Sequence, residues 1–313
     1  MLTFLAKRVL SGLVLIALIP SLAFVLMRAG SADVARQILG QTASEEQVAA
    51  RAEALGLDRP LLTQYLDWAG NALRGDLGVS WFTNEPVSQA MATRVPATLS
   101  LVIVTTIVAA IIAVALGLAA AYYGGWLDNV LQVLSIVGFA LPGFWLALML
   151  VLWFAIDNPI FPATGYVSIT DGIGGWARSI TLPVTALAVG AVTATAQQVR
   201  GAVRDVLQQD WVRTLRARGI SRGSLIFKHV LRSAGVAGLT VLGLQFIGLL
   251  GGAVFVERVF AIPGMGQVLV TSTSQGDLPL VLGVVLVTTV IVVIVNIVID
   301  LGVGFFNPKA RLS

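Results

Sequence analysis

Six stretches of this chain contain no Asp, Glu, Lys or Arg: residues 9–27, 97–121, 131–156, 179–199, 235–256 and 278–299. Each approaches or exceeds the ~20 residues that a helix rising ~1.5 Å per residue needs to cross ~30 Å of hydrocarbon. The pattern predicts an all-α, polytopic membrane protein with six transmembrane helices. Lys7 and Arg8 precede the first stretch, as in a signal peptide. Its apolar run is longer than a typical signal core, however, and no convincing small-residue cleavage site follows, so a retained helix is expected. Pro142 and Gly143 predict a kink inside the third stretch. In the fifth, Gly248 and Gly252 share a face, which suits close helix packing within one subunit and equally a helix at a subunit interface or pore.

The polar segments between these stretches differ in size and pattern. Residues 29–96 form the only large one. Within it Ser44 is placed to cap a helix running to Leu55, with Gln47 in the capping-box position and Gly56 as terminator. Residues 61–73 make a second amphipathic stretch, with Leu62, Tyr65, Leu66 and Ala69 on one face. Residues 158–178 and 257–277 contain Pro and Gly and are expected to be irregular or to form short re-entrant turns. The domain division that follows is a first helix (1–28), a large extramembrane segment (29–96) and a core transmembrane domain (97–313).

Residues 200–234, between the fourth and fifth stretches, hold eight of the 20 basic residues. A basic loop of this kind is retained in the cytoplasm, and six spans put both termini on the same side as that loop. Lys7 and Arg8 at one end and Lys309 and Arg311 at the other agree with this. Residues 122–130, with Asp128 and no basic residue, give no support. The loop is also organised. A helical run from Asp210 to Arg218 ends at Gly219, and Ser221 is placed to cap a second helix from Arg222 to Ser233, with Leu225, Ile226, His229 and Val230 on one face. Retention alone needs charge, not two helices, so the loop reads as a docking element for a cytoplasmic partner. The first helix is short enough to seat in a cleft, with Leu215 as its apolar contact.

Composition sharpens this and excludes much. Mean hydropathy is +0.90. Only 12% of residues are charged, about half the share in a soluble domain. The net charge of +4 is placed where topology needs it and is no sign of nucleic-acid binding. With no cysteine and a single histidine, His229, thiol chemistry and a histidine-rich metal site are excluded. The six stretches carry no ionisable group of the kind that ion-driven transporters keep inside the membrane. Asn296 with Asp300, and Glu257 with Arg258, lie at span ends and read as interfacial polar pairs. No G-x-x-x-x-G-K-[ST] phosphate loop, G-x-S-x-G elbow or H-E-x-x-H motif occurs, so no catalytic constellation is present and the chain does not itself hydrolyse ATP by the P-loop route.

Three motifs in order resemble one family. RTLRARGISRGSLIFKHVLRSA (213–234) resembles the EAA loop of permease subunits in ATP-binding-cassette importers, in the form of the dipeptide/oligopeptide/nickel branch. LGLDRPLLTQYLDWAGNALRGDLGVSWFTNEPVSQAMATRVPATLSL (55–101) and GAVFVERVFAIPGMGQVLVTS (252–272) match the same branch. The ending IDLGVGFFNPKARLS (299–313) resembles it less closely. The glutamate and alanines that name the loop are replaced by Arg213, Thr214 and Leu215. The proline that often follows the loop gives way to GVAGL (235–239), which leaves the bend into the fifth span open.

The resemblance implies the type I importer permease fold, in a bacterial or archaeal inner membrane. It implies the first permease of a pair, surrounded by membrane lipid and partnered by a second homologous permease. Two cytoplasmic ATPase subunits would carry ATP and Mg²⁺, leaving no cofactor in this chain, and an extracytoplasmic solute-binding protein would deliver the substrate. By motif position Arg213, Thr214, Ala217, Gly219 and Ile220, with Asp210 and Leu215 on the same helix, belong to the element seated on the ATPase. Short peptides are the expected substrate, with nickel, glutathione and sugars as the branch's other cargoes. A channel or scaffold subunit without ATPase partners is the alternative class.

Overall fold

A computed structural model of the chain describes residues 2–30 and 34–306. Lys309, Arg311 and the rest of the ending fall outside them. Among the described residues the backbone is almost wholly helical, with one isolated bridge between Val79 and Pro86. The helices in chain order are α1 (Leu2–Gly30), α2 (Val34–Leu39), α3 (Glu45–Ala54), α4 (Leu61–Leu73), α5 (Val87–Tyr123), α6 (Gly125–Ala140) and α7 (Gly143–Val151). They continue with α8 (Ile173–Leu207), α9 (Asp210–Ala217), α10 (Arg222–Ser224), α11 (Leu231–Val259), α12 (Met265–Gln275) and α13 (Leu278–Phe306). α1, α5, α8, α11 and α13 are each long and apolar enough to cross a bilayer, and α6 with α7 and the π turn after it are apolar enough together, which gives six spans if this bent pair is one span. The chain is a multi-pass, all-α membrane protein.

The third span is broken rather than kinked. α6 and the helical segment that starts at Gly143 meet at 90°. Pro142 has no N–H to give, and its ring pushes the preceding residue out of the helical region. Leu141 accordingly takes φ −83°, ψ 116°, an extended conformation that ends α6 outright. Residues 257–277 also depart from expectation. They are not irregular throughout but contain α12, which ends at Gly276 in the left-handed conformation.

Contacts divide the chain into two compact units. One is built from Arg8–Ala97 and Pro263–Val293. Here the start of α5 (Val87, Ala90, Met91) is buried against Met265 of α12 and Leu280 and Val284 of α13. The loop before α5 is latched by a buried carboxylate. Asp277, 1% exposed, accepts hydrogen bonds from the Ser80 hydroxyl at 2.5 Å and the Trp81 backbone N–H at 3.2 Å. The Ser80 oxygen in turn accepts from the backbone N–H of Thr83. The predicted capping box on α3 is formed in full, with Ser44 and Gln47 exchanging hydrogen bonds and Gly56 at φ 68°. α4 spans the expected residues, but its expected face is divided. Tyr65 packs with Phe24 while Leu62 and Leu66 are exposed.

The other unit is built around Thr98–Ile262. α8 is its central column, packing against α11, α6 and α7. Its buried positions are mostly small or β-branched, among them Ala186, Ala191, Ala196, Val199 and Val203, which let neighbouring backbones approach. Glu257, expected at the interface, is instead fully buried, and it accepts a hydrogen bond from Thr98 at 2.5 Å. A carboxylate taken out of water needs such partners to be tolerated.

Candidate functional site

The 200–234 region forms one connected device at the end of α8. α8 runs to Leu207, and Gln208 and Gln209 turn the chain into the eight-residue α9. Gln209, with extended φ and ψ, takes the cap position. The far end of α9 is closed by a pair of crossed hydrogen bonds: Gly219 N–H donates to the Arg216 carbonyl at 3.0 Å and Ile220 N–H to the Leu215 carbonyl at 3.3 Å. That is the Schellman pattern, and it requires a left-handed residue at its centre. Gly219 supplies it at φ 77°.

α9 has two distinct sides. Val212 is fully buried, and Leu215 and Ile220 pack with it into a core made by Val199, Val203 and Val206 of α8 together with Leu225, Val230 and Ala234. Leu215, expected as an outward apolar contact, is partly buried and packs, as does Ile220, against the protein's own core. The outward side carries Asp210, Arg213, Thr214 and Ala217, all exposed, with Trp211 beside them at 37% exposure. Asp210 and Arg213 approach at 3.5 Å, but with side chains 97% and 75% exposed the pair adds little stability. Both are free to engage another surface.

The second helix differs from expectation. It does not stop at Ser233 and bend. α10 passes through a π turn, Leu225–Val230, directly into α11. Leu225 and Val230 point into the same core as Val212. The residues GVAGL leave the helix unbroken.

A second feature ties the device to α6. Asp128 receives two hydrogen bonds from the Arg200 guanidinium, one from Nε and one from Nη2 at 2.7 Å, with Arg204 at 3.5 Å and Gln132 at 3.4 Å. The two main partners are 11% and 16% exposed. This bidentate geometry is the strong form of a guanidinium–carboxylate contact. Arg200 therefore serves as more than a retention charge: it holds the start of α6 to the segment of α8 that carries α9.

The glycines of α11 separate the two readings left open above. A side chain on Gly248 would meet nothing within 4 Å, and one on Gly252 only Leu187 at 3.7 Å. Both glycines line an open groove of about 350 Å³ with Leu141, Phe144 and Phe255. Tight packing within the subunit therefore does not explain Gly248.

These features meet their explanation in sequence comparison. Residues 113–312 match the family described as the binding-protein-dependent transport system inner membrane component, and residues 1–102 match the N-terminal module described for the same membrane components. The chain belongs to this family. A probable peptide ABC transporter permease of Sinorhizobium fredii is 35% identical over 98% of this chain and 99% of its own length. A putative peptide transport system permease of Brucella abortus is 36% identical over 97% and 98%. A glutathione transport system permease of Salmonella choleraesuis is 34% identical over 99% of each. The chain is thus the membrane permease of a binding-protein-dependent ABC transporter, a subunit that works in a complex with others. Three permease residues at this site were not singled out as functional from sequence: Val212, Trp211 and Asp128. The first two were detectable from the helical period of α9; Asp128 has its partner 72 positions away.

Proposed function

We propose that this permease forms half of the translocation path of an importer of short peptides, moved by ATP hydrolysed with Mg²⁺ on two partner ATPase subunits. A second, related permease would supply the other half, and an extracytoplasmic solute-binding protein would deliver the cargo. The observation that carries the coupling role is the two-sided α9: an exposed face of Asp210, Arg213, Thr214 and Ala217 backed by a buried face locked onto α8 and α11. A force on the exposed face would meet packed side chains directly behind it. It passes through Val212, Leu215 and Ile220 to α8 and α11, and through Arg200 and Asp128 to α6. Rigid-body rocking of these helices against the second permease is the motion that alternating access needs.

The peptide reading rests on the names of the relatives. Two are peptide permeases and one a glutathione permease, and glutathione is itself a tripeptide. Cells carrying the complete transporter should take up a labelled tripeptide, with competition by other short peptides. Uptake of nickel or sugar alone, unaffected by peptides, would contradict this substrate class.

The topology proposed is that of a bacterial or archaeal inner-membrane protein with both termini and α9 cytoplasmic and residues 29–96 outside, where they would receive the binding protein. With no native cysteine, single cysteines report sidedness cleanly. Ser44→Cys should react with an impermeant thiol reagent in intact cells and Ser221→Cys should not; the reverse pattern would overturn the topology.

A further inference from the structure

α4 carries a leucine stripe that nothing in its own unit covers. Positions 62, 66, 69 and 73 fall on one helical face, and Leu62, Leu66 and Leu73 are 68%, 57% and 90% exposed. The opposite face is polar: Gln64, Asp67 and Asn71 line one side of a cleft with Arg59, which pairs with Asp67 at 2.6 Å, while Phe24, Trp81, Leu278 and Leu282 line the rest, and Asp67 and Asn71 are themselves exposed. Between the two faces Tyr65 and Trp68 pack against α1, together with Ala23, Phe24 and Met27. We propose that α4 lies in the plane of the membrane–water interface, polar face to water and leucine stripe in lipid. Under the topology above this is the outer interface. The inference needs only that α1 spans the bilayer, and does not depend on the importer reading.

Depth is the argument for lipid. The Tyr65 hydroxyl meets the Ser21 hydroxyl at 2.6 Å, and its ring meets that of Phe24 edge-on at 5.5 Å. The apolar span of α1 ends at Arg28. Ser21 lies seven residues before that end, or roughly 10 Å down the helix. α4 is therefore held beside α1 at about the 5–10 Å depth at which interfacial helices bury their apolar side. Arg28 donates to the Leu57 carbonyl at 3.2 Å, which sets the turn before α4 at headgroup height. On α1 itself Leu22, Val25 and Leu26, which flank Phe24, are 53%, 61% and 71% exposed. The bare surface of the span and the stripe of α4 are thus at one level. A soluble binding protein would have to descend below the end of the span to reach these leucines, whereas lipid is already there. Tyr and Trp at this height match their known preference for the interface.

The test is nitroxide accessibility in the full-length permease, reconstituted in phosphatidylethanolamine–phosphatidylglycerol vesicles. Single labels go at Leu66→Cys, Leu73→Cys and Asn71→Cys, with Leu22→Cys as the lipid-facing reference. Leu73 is almost fully exposed, so its replacement does not challenge folding. Labels at 66 and 73 should collide more with oxygen, which partitions into lipid, than with a water-soluble nickel chelate, as at 22; at 71 the ratio should invert. Nickel-dominated collisions at 66 and 73 would overturn the proposal. So would shielding from both reagents, which would mean that a protein partner covers the stripe.

Discussion

Gly219→Val is expected to abolish the stimulation of ATP hydrolysis by loaded binding protein while leaving the permease inserted at near-normal levels. Gly219 sits at φ 77°, and an added side chain there would meet nothing within 4 Å. The penalty is therefore conformational and not a clash. A β-branched residue held in this region is strained by about 1–3 kcal/mol. That is roughly 5- to 150-fold in the population of the intact turn. The strain falls on the two hydrogen bonds that close α9 and on the packing of Leu215 and Ile220 against the core that seats it. The spans are remote from the change and should still insert. Gly219→Asn makes the series informative, because Asn tolerates the left-handed region. It should keep most of the stimulation. Equal loss in both variants would mean that side-chain bulk at a docked surface, rather than turn geometry, is at stake.

Breaking the Asp128–Arg200 pair should destabilise the permease by about 1.5–3 kcal/mol, the range for hydrogen bonds to charged groups. The larger cost of splitting a fully buried pair is not expected, because both side chains keep some exposure. Arg200→Met removes the bidentate donor and leaves Asp128 with only the 3.5 Å contact to Arg204 and the 3.4 Å contact to Gln132. Asp128→Leu leaves the guanidinium of Arg200 without its partner. The double variant should cost less than the sum of the two, since neither charge is then stranded. Thermal unfolding of the solubilised permease reads all three. Additive losses would show that the two residues act separately and that α6 is not clamped to α8 by this contact.

What could be read directly from sequence is what depends on neighbours in sequence. The capping box at Ser44 and Gln47, the terminators Gly56 and Gly219, and the first helix of the 210–234 loop are local decisions, and all are present, whereas the second helix runs on into α11. The apolar stretches were legible because a bilayer demands length and charge-free composition. Features set by distant partners were not. Asp128 reads as a lone acid in a turn until α8 brings Arg200 to it. Glu257 reads as interfacial until Thr98, 159 positions away, takes its carboxylate inside. The Pro142–Gly143 pair announces a break but not its size, because the 90° depends on what α6 and α7 each pack against. Leu215 is ambiguous on an eight-residue helix, where a single turn decides which face is covered. The α4 stripe was legible as apolar but not as exposed, because Tyr65 and Trp68 compete for the same helix surface.

The central claim is that the outward face of α9 is where the ATPase engages this permease. Site-specific photo-cross-linking tests it most directly. A photoreactive amino acid at Arg213 or Thr214 should yield a covalent adduct with an ATPase subunit in membranes of cells expressing the whole transporter. The same group at Asn71, on the polar face of α4, should yield none. Absence of any ATPase adduct from positions 213 and 214, with the complex otherwise intact and active, would contradict the account.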